Sequence, residues 1–164
     1  MEYITLKNND LTHFKILCNL MVEYIAETDL HQNITTQKEL IPKITKSMID
    51  KLDENRFLQI VFLEDEPIAF CYAKIDKAGD KGVIRANWGY IMELFVKKTH
   101  RRKGIGKELV NKCESFFKKK DVINIWLTAD AVTGIPFWLA NDYSDTREIS
   151  TENNQKILTK SLKL

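Results

Sequence analysis

At 164 residues, 44% hydrophobic, 29% charged and +2 in net charge, the chain suits one globular domain over residues 1–164, large enough to bury a core without disulfide or metal staples. The near-zero charge gives no ground for a nucleic-acid partner, and no apolar run approaches the ~20 residues that a membrane span needs. Cys18, Cys71 and Cys113 lie far apart in apolar stretches with no C-x-x-C pair, which excludes a zinc ribbon or redox motif; with no signal peptide over residues 1–6, a cytoplasmic protein with buried thiols is expected.

Residues 3–6 alternate and read as a short strand. From Asp10 the period changes: Leu11, Phe14, Leu17, Cys18, Met21, Val22 and Ile25 recur at three and four, which predicts a helix capped by Asn9 or Asp10. Thr36 and Glu39 have the spacing of a capping box before a second helix marked by Leu40, Ile44, Met48 and Leu52, with Pro42 tolerable only in its first turn. Residues 57–63 and 68–76 read as strands around a turn at Glu64–Pro67, followed by another turn over residues 77–82 and a strand over 88–96. Ile105, Leu109, Cys113 and Phe116 predict a helix running to Lys118–Lys120, where cations suit the C-terminal end of the helix dipole. Residues 122–128 are rich in β-branched side chains and read as a buried strand, 132–141 as a short helix, and 143–149 and 157–162 as closing strands. The order is β-α-α-β-β-β-α-β-α-β-β.

The densest functional signal lies at Arg101-Arg102-Lys103-Gly104-Ile105-Gly106-Lys107. A helix start exposes bare backbone N–H groups, and glycine lets a ligand approach them, so the segment suits a phosphate-bearing anion. It is not the nucleotide P-loop, because Glu108 follows Gly106-Lys107 and no glycine stands five residues before Gly106. It is not the dinucleotide fingerprint, because Leu109 stands where a third glycine would be. The basic residues between Lys97 and Lys107 would also suit a polyanion, although a plain solvated loop has no need of two glycines at a helix start.

What remains, Arg101-x-x-Gly104-x-Gly106 preceded by the strand residues Tyr90-Ile91-Met92-Glu93-Leu94-Phe95-Val96, resembles the acetyl-CoA signature of the GNAT N-acetyltransferase superfamily. Phe137-Trp138-Leu139-Ala140-Asn141-Asp142-Tyr143 is similar to the F-[YW]-x-x-x-G-[FY] segment of bacterial members, with Asp142 in place of the usual glycine. The element order fits as well, so the resemblance covers nearly the whole chain. It implies an α+β fold, a mixed and mostly antiparallel sheet with helices on both faces. It also implies transfer of an acetyl group from acetyl-CoA to a primary amine by direct attack in a ternary complex. By position, Arg101, Arg102, Lys103, Gly104, Ile105, Gly106 and Lys107 would hold the diphosphate. The backbone of Leu94, Phe95 and Val96 would pair with the pantetheine arm, and the amide near Leu94 would face the thioester oxygen.

An alkyl ammonium has a pKa near ~10.4 and is almost wholly protonated at neutral pH, so the reaction needs a base. Glu93 is the only carboxylate on the strand before the loop. Tyr90 matches a place where some relatives put the base or its water chain; a phenol is a poor base, so positioning a water suits it better. Strand alternation puts Tyr90 and Glu93 on opposite faces unless a bulge intervenes. Trp138 stands where many members carry a tyrosine as general acid, and it reads as a core aromatic. Asp130 stands near the place of an asparagine that often contacts the CoA arm. Both departures leave a second reading open, an acyl-CoA-binding sensor or regulatory module with weak catalysis. His13, His31 and His100 do not cluster, so neither a catalytic triad nor a metal is expected. His31 is expected in the loop between the first two helices, a region that by the resemblance shapes the acceptor pocket; with Glu27 and Asp29 nearby it would either meet a cationic acceptor or remain surface charge. The expected partner is a small-molecule or peptide amine, with neither nucleic acid nor membrane, and a homodimer left open.

Overall fold

From β1 (Glu2–Thr5) to β7 (Lys156–Ser161), the computed structural model, which describes residues 1–80 and 83–163, follows the predicted order of elements. Between them lie α1 (Phe14–Gln32), α2 (Leu40–Asp50), β2 (Arg56–Leu63), β3 (Glu66–Ile75), β4 (Gly89–Val96), α3 (Ile105–Lys118), β5 (Asn124–Ala129), α4 (Gly134–Leu139) and β6 (Ser144–Ile149). The strands form one seven-stranded sheet in the order β1-β2-β3-β4-β5-β7-β6. The β4–β5 pair is parallel, with rungs Gly89–Ile125 and Tyr90–Trp126. The β1–β2, β5–β7 and β6–β7 pairs are antiparallel, so the sheet is mixed. The predicted turn over residues 77–82 ends on Lys81 and Gly82, which lie outside the described residues.

The chain forms two compact units. The first comprises Met1–Tyr72 and Glu93–Val110. In it α1 packs on α2, and Leu17, Leu20, Met21, Ile41 and Ile49 are buried together with Leu58, Ile60, Val61, Phe70 and Leu109. The second comprises Ala73–Met92 and Asn111–Leu164. Its buried residues include Phe117, Ile125, Trp126, Leu127, Trp138 and Leu158. There Gly89 has no room for a side chain, because a Cβ would meet the Phe117 ring at 2.8 Å.

Several boundaries differ from the sequence pattern for identifiable reasons. α1 starts at Phe14, later than Asn9 or Asp10 implied. Asp10 still braces the start, its Oδ1 accepting the His13 N–H at 3.0 Å and its Oδ2 lying 2.9 Å from His13 Nδ1. Leu11 therefore lies outside the helix and is 82% exposed. The helix then runs on to Asn33, whose left-handed conformation (φ 52°) closes it. The predicted capping box does not form: the Thr36 N–H and hydroxyl donate to the Asp29 carboxylate at 2.6 and 2.7 Å, and the residue before α2 is Glu39, with no side-chain cap. Pro42 occupies the first turn of α2, where an absent N–H costs nothing. On α3 the buried stripe ends at Phe117 rather than at Phe116.

Candidate active site

Glu93 and Phe95, two positions apart on β4, share a face. Both meet Tyr24 of α1, whose hydroxyl donates to Glu93 Oε2 and whose ring lies 5.8 Å from that of Phe95. Phe70 completes the aromatic cluster, 5.7 Å from Tyr24 and 6.1 Å from Phe95. Burial among these groups pushes the Glu93 carboxyl up to about 7, and the Tyr24 hydrogen bond pulls it partly back. Tyr72 of β3 belongs to the same electrostatic neighbourhood. Burial raises its phenol, Arg56 opposes this by donating to its hydroxyl at 3.0 Å, and the charges of Asp53 and Glu93 act in the same direction as burial.

Tyr90 has other partners. Its ring stacks on Trp126 at 3.9 Å and 9°, the residue opposite it on β5. The Trp126 indole donates to Oδ2 of the fully buried Asp76 at 2.8 Å, and Lys74 Nζ lies 2.9 Å from Asp76 Oδ1 and 5.7 Å from the Tyr90 ring.

After β4 the chain makes a short 3-10 turn over Lys98–His100 and enters α3 at Ile105. Two left-handed residues shape the entry, Arg102 at φ 62° and Gly104 at φ 82°. A Cβ built on Gly104 would meet nothing within 4 Å, so this face of the helix start is open. Buried Ile105 anchors the turn, while the side chains of Arg102, Lys103 and Lys107 are exposed and Gly106 is half-buried. Arg101 differs from its neighbours. Its Nε donates to the Val96 carbonyl at 2.8 Å, and its terminal nitrogen donates to Glu27 Oε2 at 2.7 Å, beside the Phe95 ring. The Val96 carbonyl therefore already accepts one bond; Leu94 and Val96 are half-buried and Phe95 is buried.

Trp138 is 6% exposed and packs edge-on against Phe137 and Tyr143, with ring centroids 5.0 and 4.9 Å away. Asp142 takes the left-handed conformation (φ 66°) for which the family segment uses glycine. The Asp130 carboxylate accepts the backbone N–H groups of Val132, Thr133 and Gly134 at 2.8–3.0 Å, so it is engaged in holding the start of α4.

Among the acidic residues that sequence analysis placed near an acceptor, Glu27 is paired with Arg101 and Asp29 with Thr36. His13 pairs with Asp10. Among the described residues no group of His, Cys, Asp and Glu is arranged to hold a metal, and no helix is long and apolar enough to cross a membrane. The sequence pattern did not point to Tyr24, nor to the pairing of Glu27 with Arg101. The legible signal is the stripe Leu17-Leu20-Met21, which continues at helical spacing into Tyr24 and Glu27: a core-facing row that turns polar.

The model of the acetyltransferase (GNAT) family matches residues 20–138. No curated protein sequence matches the chain significantly. Among solved structures, an aminoglycoside 6'-N-acetyltransferase complexed with coenzyme A superposes with a TM-score of 0.74 at 13% identity, over 100% of this chain and 98% of that one. The PaiA N-acetyltransferase from Thermoplasma acidophilum in complex with coenzyme A gives 0.67 at 18% identity, over 98% and 99%. A predicted acetyltransferase with acetyl-CoA from Clostridium acetobutylicum gives 0.69 at 16% identity, over 91% and 93%. These likenesses are likenesses of fold.

Proposed function

The chain belongs to the acetyltransferase (GNAT) family, and from that premise we propose that it moves an acetyl group from acetyl-CoA to a primary amine by direct attack in a ternary complex. Under this reading residues 1–164 are one N-acetyltransferase domain, which is supported by full-length superposition on the relatives above. The observation that carries the proposal is that one unbroken run, Glu93 to Lys107, holds both a half-buried carboxylate near neutrality and an open, basic helix start.

The helix start fits a diphosphate. Its backbone N–H groups point out of the first turn of α3, Gly104 leaves the approach open, and Arg102, Lys103 and Lys107 add positive charge. Arg101 holds the corner between β4 and the loop through Val96 and Glu27, so the loop keeps its shape. Ile105 anchors it from the core, and Gly106 keeps the first turn free of a side chain. Leu94, Phe95 and Val96 would offer the strand backbone to the pantetheine amides, and the Leu94 amide would face the thioester oxygen, where charge develops. When bound, acetyl-CoA supplies the activated acyl group and a thiolate leaving group.

Glu93 takes the proton from the incoming ammonium. A carboxyl near pH 7 is about half ionised under neutral conditions, strong enough to accept a proton and present in sufficient amount to do so. Turnover therefore rises with pH through about 7 as the carboxylate form fills. Tyr90, held flat against Trp126, would serve by ordering a water.

The test is thermal unfolding with acetyl-CoA, followed by thiol release in the presence of a panel of primary amines. At a hundredfold excess over Kd the ligand should add about 2.7 kcal/mol of stability. Gly106→Val, which fills the helix start, should lose that gain while keeping the fold. Absence of a shift at millimolar acetyl-CoA, or of amine-dependent thiol release, would overturn the reading.

A further inference from the structure

A glutamate on a strand has three side-chain torsions, and burial among aromatic rings gives its carboxylate no direction of its own. Direction at Glu93 comes from Tyr24. That ring is itself held, edge-on to Phe70 at 87° and tilted against Phe95 at 55°, so its hydroxyl occupies a fixed point in space. One helical turn further along α1, Glu27 grips Arg101, which ties the same stretch of helix to the loop after β4. Among the described residues, Tyr72 on β3, Arg56 from β2 on its hydroxyl, and Asp53 share this electrostatic neighbourhood with Glu93.

We propose that Tyr24 is a positioning residue for Glu93: its hydroxyl takes Oε2 and turns Oε1 toward the amine proton. This rests on the reading of Glu93 as the base. In the reaction one proton passes from the ammonium nitrogen to Oε1, the freed lone pair forms the N–C bond, the C–S bond breaks with its electrons on the departing sulfur, and the second nitrogen proton passes to that sulfur as the neutral amide forms. Tyr24 keeps its own proton throughout and acts only by holding the acceptor oxygen and favouring its charged form.

The consequence is specific. A hydrogen bond donated to a carboxylate favours ionisation, so its removal moves the Glu93 titration to higher pH. Tyr24→Phe keeps the ring and its packing and deletes only the donor. The experiment follows the side-chain carboxyl of Glu93 by carbon-13 titration in protein labelled at glutamate, with Glu93→Gln to assign the signal. It then records the pH profile of thiol release with the fastest acceptor from a panel of a polyamine, an aminoglycoside and a short peptide. The Tyr24→Phe titration should move up by about half a unit to one unit. The acidic limb of the profile should move with it, kcat at neutral pH should fall severalfold, and KM for acetyl-CoA should stay within about twofold. A Glu93 signal that titrates in Tyr24→Phe as it does in the parent overturns the proposal, as does a moved signal with an unmoved limb. Persistence of the parent's acidic limb in Glu93→Gln removes Glu93 as the base and leaves the hydrogen bond a structural one. Absence of thiol release across the panel overturns both readings.

Discussion

The burial of the Glu93 carboxyl, partial as it is, costs folding stability that can be measured without any substrate. Its carboxyl shifts from an ordinary 4.5 in the unfolded chain to about 7 in the fold. Because the folded-state value is the higher one, the stabilising contribution is complete below about pH 4.5 and declines as pH rises toward 7, where the folded state must hold a charge that the unfolded state holds more easily. At ~1.4 kcal/mol per pKa unit the shift is worth at most about 3.5 kcal/mol. Partial solvent access brings the expected range to roughly 1–3 kcal/mol, a sizeable part of the ~5–15 kcal/mol that holds a domain together. Glu93→Gln keeps the shape and cannot ionise. In urea unfolding it should match the parent near pH 4 and be the more stable protein near pH 8.5, by that margin. A stability difference between the two that stays flat over this range would show that the Glu93 carboxyl is solvated and ordinary, and the case for it as a neutral-pH base would fail with it.

Asp142→Gly should raise stability by about 0.5–1 kcal/mol, because a non-glycine residue at φ 66° carries steric strain that glycine lacks; chemical unfolding of the two proteins decides it, and a loss would mean that the Asp142 side chain holds something the backbone angle does not reveal. Trp138→Phe should lose about 1–2 kcal/mol through the smaller ring in a buried site and keep most of its turnover. A hundredfold fall in turnover with an intact fold would give the indole a part in the reaction.

The strands were legible because their apolar residues alternate or run together, and the loop before α3 because glycine and basic residues at a helix start have few other uses. What escaped was settled by side chains distant in sequence. Thr36 has the spacing of a capping residue, but the nearby Asp29 carboxylate competes for its hydroxyl and wins. Asp10 looked like the cap of α1 and instead braces His13, so the helix begins later. Phe116 and Phe117 are equally apolar, and the rotation of α3 decided which is buried. Tyr24 lies 69 positions from Glu93, and nothing local to either residue announces the bond. Tyr90 stacks on Trp126, the residue opposite it on β5, a contact that strand alternation alone does not announce.

The pairing of Arg101 with Glu27 separates two properties of the loop that a basic sequence merges. Arg101 is 29% exposed and Glu27 12%, and two unit charges this close and this sheltered are poorly screened by salt. Arg102, Lys103 and Lys107 stand in solvent, where at physiological ionic strength a charge is felt over only about 8 Å. Added salt should therefore weaken the long-range pull on an approaching polyanion while leaving the corner after β4 as it is. Ionic strength then acts on the rate of capture far more than on the rate of escape, and the loop's shape and its attraction become separately adjustable.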